Sequence, residues 1–140
     1  MKRIVTMVLV MSIALFADFT RDGSVVTDNT TGLQWQDDAI GSTMNWKSAI
    51  EQCENLILDG HSDWRLPNLK ELTSIVDDTR FNPSIDTDTF QHVASDYYWS
   101  STTNAGYSSR AWYVGFSYGR QFNRYKSYSY FVRCVRAGQL

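Results

Sequence analysis

Only two cysteines occur in the 140 residues, Cys53 and Cys134, and no other feature limits so strongly what the chain can become. If they join, most of the chain closes into one loop. Whether they join depends on where the chain is sent. Lys2-Arg3 is followed by an uncharged run over residues 4–17, the pattern of a secretory signal peptide, which is predicted for residues 1–17. A membrane span needs about 20 apolar residues; this run is shorter, contains Thr6 and Ser12, and meets Asp18 at once. Cleavage is therefore expected, not anchoring. Ala17 suits the position before the cut, although Leu15 is larger than the usual small-x-small pattern wants. No Cys follows the run, so a lipid-modified N-terminus is not expected, and the product should be soluble. On an oxidising export route a disulfide between Cys53 and Cys134 is the default. Their spacing is too long for a paired metal-ligand motif, and with only His61 and His92 as histidines there is little from which to build a zinc site. In the chain-entropy picture such a bridge stabilises by about 4–5 kcal/mol, a large share of a small domain's net stability.

Residues 18–140 suffice for one domain with its own core. The chain from 19 to 38 reads as strand, turn, strand, with Asp28-Asn29-Thr30-Thr31-Gly32 as the turn. Asn29-Thr30-Thr31 also fits a glycosylation pattern, but turn chemistry explains it. Trp46, Ala49, Ile50, Cys53 and Ile57 follow the helical period behind a candidate N-cap, Asn45, which puts Cys53 on the buried stripe of a first helix. A second helix is predicted after Pro67. Asn68 and Glu71 have capping-box spacing, Leu69, Leu72 and Val76 form its apolar face, and its end is expected near Asp77-Asp78. An irregular stretch over 79–96 follows. Strands are predicted at 97–101, 111–116, 121–125 and 130–135, with Gly115 and Gly119 as turn or bulge points. Two helices followed by a Tyr-rich antiparallel sheet make an α+β domain, and no internal repeat is visible.

Charge is unevenly placed. All fifteen acids lie within residues 18–96, against five bases there, whereas the segment from Tyr97 onward has no acid and carries Arg110, Arg120, Arg124, Lys126, Arg133 and Arg136. Two readings are open: the halves neutralise each other inside the fold, or the basic part presents a patch to an anionic partner. Loss of Lys2 and Arg3 with the leader leaves eleven bases against fifteen acids. A net acidic, exported chain is a poor candidate for nucleic-acid binding.

Asp63-Trp64-Arg65-Leu66-Pro67-Asn68 with Lys70-Glu71-Leu72, then Asn82-Pro83, Tyr98-Trp99-Ser100-Ser101-Thr102, Ala111-Trp112-Tyr113-Val114 and Val132-Arg133-Cys134-Val135-Arg136 resemble, in order, the motifs of the Lcl C-terminal domain family. The family takes its name from the terminal module of a bacterial collagen-like adhesin. The resemblance implies a C-type-lectin-like fold, with two helices packed on a small twisted antiparallel sheet and a bridge from the first helix to the last strand. The Glu-Pro-Asn and Trp-Asn-Asp calcium motifs of sugar-binding C-type lectins are absent. Asp86 and Asp88 are the nearest carboxylate cluster, and an Asx-turn suits them better than a calcium site.

No catalytic constellation is evident. If both cysteines are bridged no thiol remains as nucleophile, and His61 beside Ser62 and Asp63 is adjacency, not triad geometry. His92 sits in the irregular stretch and is read the same way. Neither a cofactor nor a metal is expected. Asp63, Trp64, Arg65, Arg133 and Arg136 read as fold residues, with Arg65 or Arg133 tied to an internal acid such as Asp63 or Glu71. The segment from Tyr118 to Tyr128 alternates bases with aromatics without an acid, offering ring faces and guanidinium forks to a sugar or an anion. Packed rings with merely solvated bases would give the same composition. Arg120, Arg124, Tyr125, Lys126 and Tyr128 are the candidate ligand-binding residues. As a strand, the segment puts Arg120, Phe122 and Arg124 on one face and Gln121, Asn123 and Tyr125 on the other. The expected function is an exported, non-catalytic recognition module of adhesin type, periplasmic or extracellular, binding anionic polysaccharide or another envelope polymer without calcium. The alternative is a structural or assembly component of the envelope that binds other proteins and shows an exposed apolar patch.

Overall fold

The N-terminal hairpin forms about its predicted turn, residues 28–32, and one further strand, not expected from the sequence, precedes it. β1 (Phe19–Asp22) and β2 (Val25–Asp28) pair antiparallel, and Asp28 closes the next turn by accepting the Thr30 amide (2.9 Å). β3 (Gln34–Gln36) then pairs with β2. In this computed structural model residues 18–137 are described, together with Ile4, Thr6 and Val8; the rest of the predicted leader lies outside the described residues. No helix among them is long and apolar enough to cross a membrane.

The helix starts follow their caps. Asn45 accepts the Ser48 amide (2.9 Å) to open α1 (Trp46–Asn55). At α2 (Leu69–Ser74), Asn68 accepts the Glu71 amide (2.8 Å) while Glu71 accepts that of Asn68 (3.0 Å), a complete capping box. Both ends fall short of expectation. α1 stops at Asn55 because Leu56 turns to extended backbone, so the predicted core residue Ile57 is 76% exposed while Leu56 and Leu58 pack inward instead. α2 stops at Ser74 rather than near Asp77-Asp78; Ile75 and Val76 still pack into the core from outside the helix.

β4 (Tyr97–Asn104), β5 (Tyr107–Gly115) and β6 (Arg120–Tyr125) form an antiparallel sheet of order β4-β5-β6. Its first hairpin runs further than the predicted 97–101 and 111–116. The expected last strand, 130–135, is not one strand. Tyr130 bridges Met44, Phe131 runs parallel to Tyr98, and only β7 (Val135–Arg136) is regular, pairing with β3 and not with the C-terminal sheet. The single sheet expected is thus two, with orders β1-β2-β3-β7 and β4-β5-β6. The final segment crosses between them, and its buried peptide groups find partners in each element they pass.

Both sheets are buried on two faces near their centres. Neighbouring residues therefore enter different cores: Val26 and Tyr98 join α2's Leu72, with Ile85 and Phe90, whereas Val25 and Trp99 join Ala49, Cys53 and Cys134. The disulfide Cys53–Cys134 forms as expected, with Cα atoms 5.4 Å apart. It ties α1 to the residue just before β7.

Candidate ligand-binding face

Register decides which side chains meet on β6. Tyr113 faces Phe122, Ala111 faces Arg124 and Gly115 faces Arg120, on the same side as Trp99 and Tyr97; Val114, Trp112 and Arg110 face Gln121, Asn123 and Tyr125 on the other. The first side continues the disulfide-containing core outward. Tyr113 lies 4.8 Å from Tyr97, 4.8 Å from Tyr130 and 5.9 Å from Phe122, centroid to centroid, and Tyr130 lies 6.4 Å from Tyr128. Tyr113 is buried, while Phe122 and Tyr128 are about half exposed. The absence of a Cβ at Gly115 lets the Tyr97 ring lie against the strand, since a Cβ there would come within 3.2 Å of the ring.

Cations sit on one ring of this cluster, Tyr128, and on two neighbouring rings outside it. Arg120 lies over Tyr118 at 5.8 Å, Arg124 over Tyr128 at 5.5 Å, and Lys126 over Trp46 at 4.0 Å. On the opposite face Arg110 is held between Tyr125 at 4.4 Å and Tyr107 at 5.6 Å, with Asn123 Oδ1 accepting from it at 3.4 Å. Burial raises the Tyr130 phenol to about 12, with Tyr113 adding to the effect, and burial raises Tyr113 despite the guanidinium of Arg124 beside it. Both phenols stay neutral at ordinary pH. The Tyr113 hydroxyl in turn raises Arg124. Arg110 has the reverse effect on Tyr125, holding its phenol below the usual range. On the Tyr113 and Tyr130 side, therefore, the rings add no negative charge to that of the bases.

Of the five residues singled out from sequence, Arg120, Arg124, Lys126 and Tyr128 are drawn to the aromatic side, while Tyr125 lies on the opposite face with Arg110. Arg110, Trp46 and Tyr107 were not among the residues that sequence reasoning chose as ligand-binding candidates. The first and last belong to the neighbouring strand and are placed by register; Trp46 reads as a core helix residue, and part of it is, its indole donating to the Ser100 carbonyl (2.8 Å). A groove of about 660 Å³ also opens between α2 and β6, beside Lys70, Thr73, Thr102 and Gln121. Its polar atoms largely serve the fold: Thr73 Oγ1 accepts from Gln121 (2.5 Å) and donates to the Leu69 carbonyl (2.7 Å), and Thr102 Oγ1 accepts the Leu69 amide (2.9 Å).

The remaining arginines among the described residues are engaged with acids. Arg65 makes a two-pronged pair with buried Glu71 (2.6 and 2.7 Å), the predicted internal pair. Arg133 binds Asp37 (2.9 Å) and donates to the His92 carbonyl (2.7 Å). Arg136 takes Asp63 (2.6 Å), and Arg21 also reaches Asp37. Arg80 sits among Asp77, Asp86 and Asp88 at 3.0–3.3 Å, and Asp86 accepts the Asp88 amide (3.0 Å) in the Asx-turn expected of it. The two readings of charge thus divide by residue. Arg133 and Arg136 neutralise acids of the first half; Arg110, Arg120, Arg124 and Lys126 have no carboxylate partner among the described residues.

No curated protein matches the chain. The profile of the Lcl C-terminal domain matches residues 24–136, a span that holds both helices, both cysteines and all of the aromatic–cationic face, and the chain belongs to the Lcl C-terminal domain family.

Proposed function

We propose that this domain is an exported, non-catalytic recognition module with a C-type-lectin-like arrangement that binds anionic polymers, such as acidic or sulfated polysaccharide, without calcium. The observation that carries the reading is the contrast just drawn. Five described arginines spend their charge on carboxylates, while Arg110, Arg120, Arg124 and Lys126 lie on ring faces around one edge strand. A guanidinium over an aromatic ring, with five N–H donors, retains some of them for a sulfate, phosphate or carboxylate. Exposed Phe122 and Tyr128 beside it offer apolar faces to a sugar ring. The bridge between an early helix and the C-terminal segment, with two helices against antiparallel sheets, supports the lectin-like arrangement. The leader pattern and the use of both cysteines in one bridge support export, and that use also ties up the only thiols a nucleophilic mechanism would have.

Binding to immobilised sulfated polysaccharide tests this. Affinity should fall steeply with added salt and stay flat between about pH 5 and 8, where neither Arg nor Lys titrates. The triple variant Arg120→Ala, Arg124→Ala, Lys126→Ala should lose retention with its far-UV spectrum unchanged. Absence of binding at low salt, or equal retention of the triple variant, would overturn the proposal.

A further inference from the structure

Two sheets have four outer edges, and they are not equally closed. Phe131 meets that of β4, its amide donating to the Tyr97 carbonyl (2.9 Å) and its carbonyl accepting the Trp99 amide (3.0 Å). Arg65 meets that of β7, exchanging two bonds of 2.8 Å with Val135. β1 is only four residues long, and its Arg21 is drawn onto Asp37. β6 runs for six residues, and among the described residues no strand pairs with its outer side. The Lys126 amide donates to the Ser109 carbonyl (2.9 Å). By the alternation of an antiparallel ladder, the amides of Arg120, Phe122 and Arg124 then point to β5, and those of Gln121, Asn123 and Tyr125 point outward.

Edge strands are commonly blunted by charge, but here the charge has one sign and flanks the edge from both faces, Arg120 and Arg124 on one and Arg110 on the other. We propose that the outer edge of β6 receives an extended acidic peptide of a partner protein as an added strand. The partner's backbone would bond the amides of Gln121, Asn123 and Tyr125, and its alternate carboxylates, all on one face, would meet Arg120 and Arg124. The Tyr125 carbonyl already accepts the Tyr128 amide (3.0 Å), so the added strand ends there. A second copy of β6 is the wrong occupant, because it would set Arg120 and Arg124 beside their own kind. The proposal goes beyond polyanion binding, since it needs a peptide backbone in the ligand.

The test is amide hydrogen exchange by NMR on the disulfide-bonded protein, with an alternating Thr/Glu heptapeptide as probe. Near saturation, exchange at Gln121, Asn123 and Tyr125 should slow by about tenfold or more, and a peptide with every Thr replaced by Pro should fail to protect them. Unchanged exchange at these amides with the peptide present in excess, or equal protection by the proline peptide, overturns the proposal. Sulfated polysaccharide forms the control arm: it should shift the arginine side-chain signals without slowing the outward amides. If it slows them as the peptide does, strand addition is again overturned; if it binds while the peptide does not, only strand addition falls and polyanion binding stands.

Discussion

Asp37 is buried where three segments meet. Its carboxylate accepts from Arg133 (2.9 Å), from Arg21, and from the amides of Gln91 (2.8 Å) and His92 (3.1 Å). Burial pushes its pKa up, but the Gln91 amide and the two guanidinium groups outweigh this and hold it below the usual carboxylate value of 3.8. A depressed value means that the ionised carboxylate stabilises the fold above the unfolded pKa, and that this contribution is lost as pH falls through the lower, folded one. Asp37→Asn should therefore cost about 3–5 kcal/mol near neutral pH by leaving Arg133 buried without its charge partner. The gap to wild type should narrow as acid is added below the usual carboxylate range. Urea unfolding near neutral pH and again near pH 3 checks this; an equal gap at both would contradict it. Nothing in the sequence marks Asp37, because its partners lie 16, 54, 55 and 96 positions away. The Arg65–Glu71 pair was legible because both residues flank one helix start, six positions apart.

Among the elements, the β5–β6 turn depends on Gly119. Its φ is +73°, and a Cβ there would strike Val76 Cγ1 and press on Ser84. Gly119→Ala should cost about 1–3 kcal/mol through backbone strain and loosen β6 against the segment after α2. Chemical denaturation gives the first effect and faster amide exchange in β6 the second; a variant as stable as wild type would contradict it. The helix starts were legible from Asn45, Asn68 and Glu71 because capping is local chemistry. Ile57 was misplaced because a period of 3.6 carries no information on where the helix stops. The strand predicted at 130–135 reads as continuous in its apolar content, but its peptide groups are divided among Met44, Tyr98, Arg65 and β3. For the candidate face, the period of two correctly separates Arg120 and Arg124 from Tyr125. Arg110 reaches Tyr125 only through a hairpin register that no local pattern encodes.

Across the whole molecule, two cores share both sheets, and the chain's final described segment touches each sheet in turn. The disulfide closes 81 positions of chain around this arrangement. Replacing both cysteines with serine should lower stability by about 4–5 kcal/mol, a fall in melting temperature of roughly 15 °C. Calorimetry of the double variant beside the oxidised protein measures it, and a shift of only a few degrees would show that the sheets hold the C-terminal segment unaided. The position of this bridge also makes the domain mechanically lopsided. Traction on the carboxyl side can strip β7, beyond Cys134, before the load passes through sulfur into α1. Traction from the amino end meets no covalent stop until Cys53, so β1, β2 and β3 can peel away first. Held by its C-terminal side, the domain would bear a steady pull with β5 and β6 still in place; held by the other, it would yield one hairpin at a time.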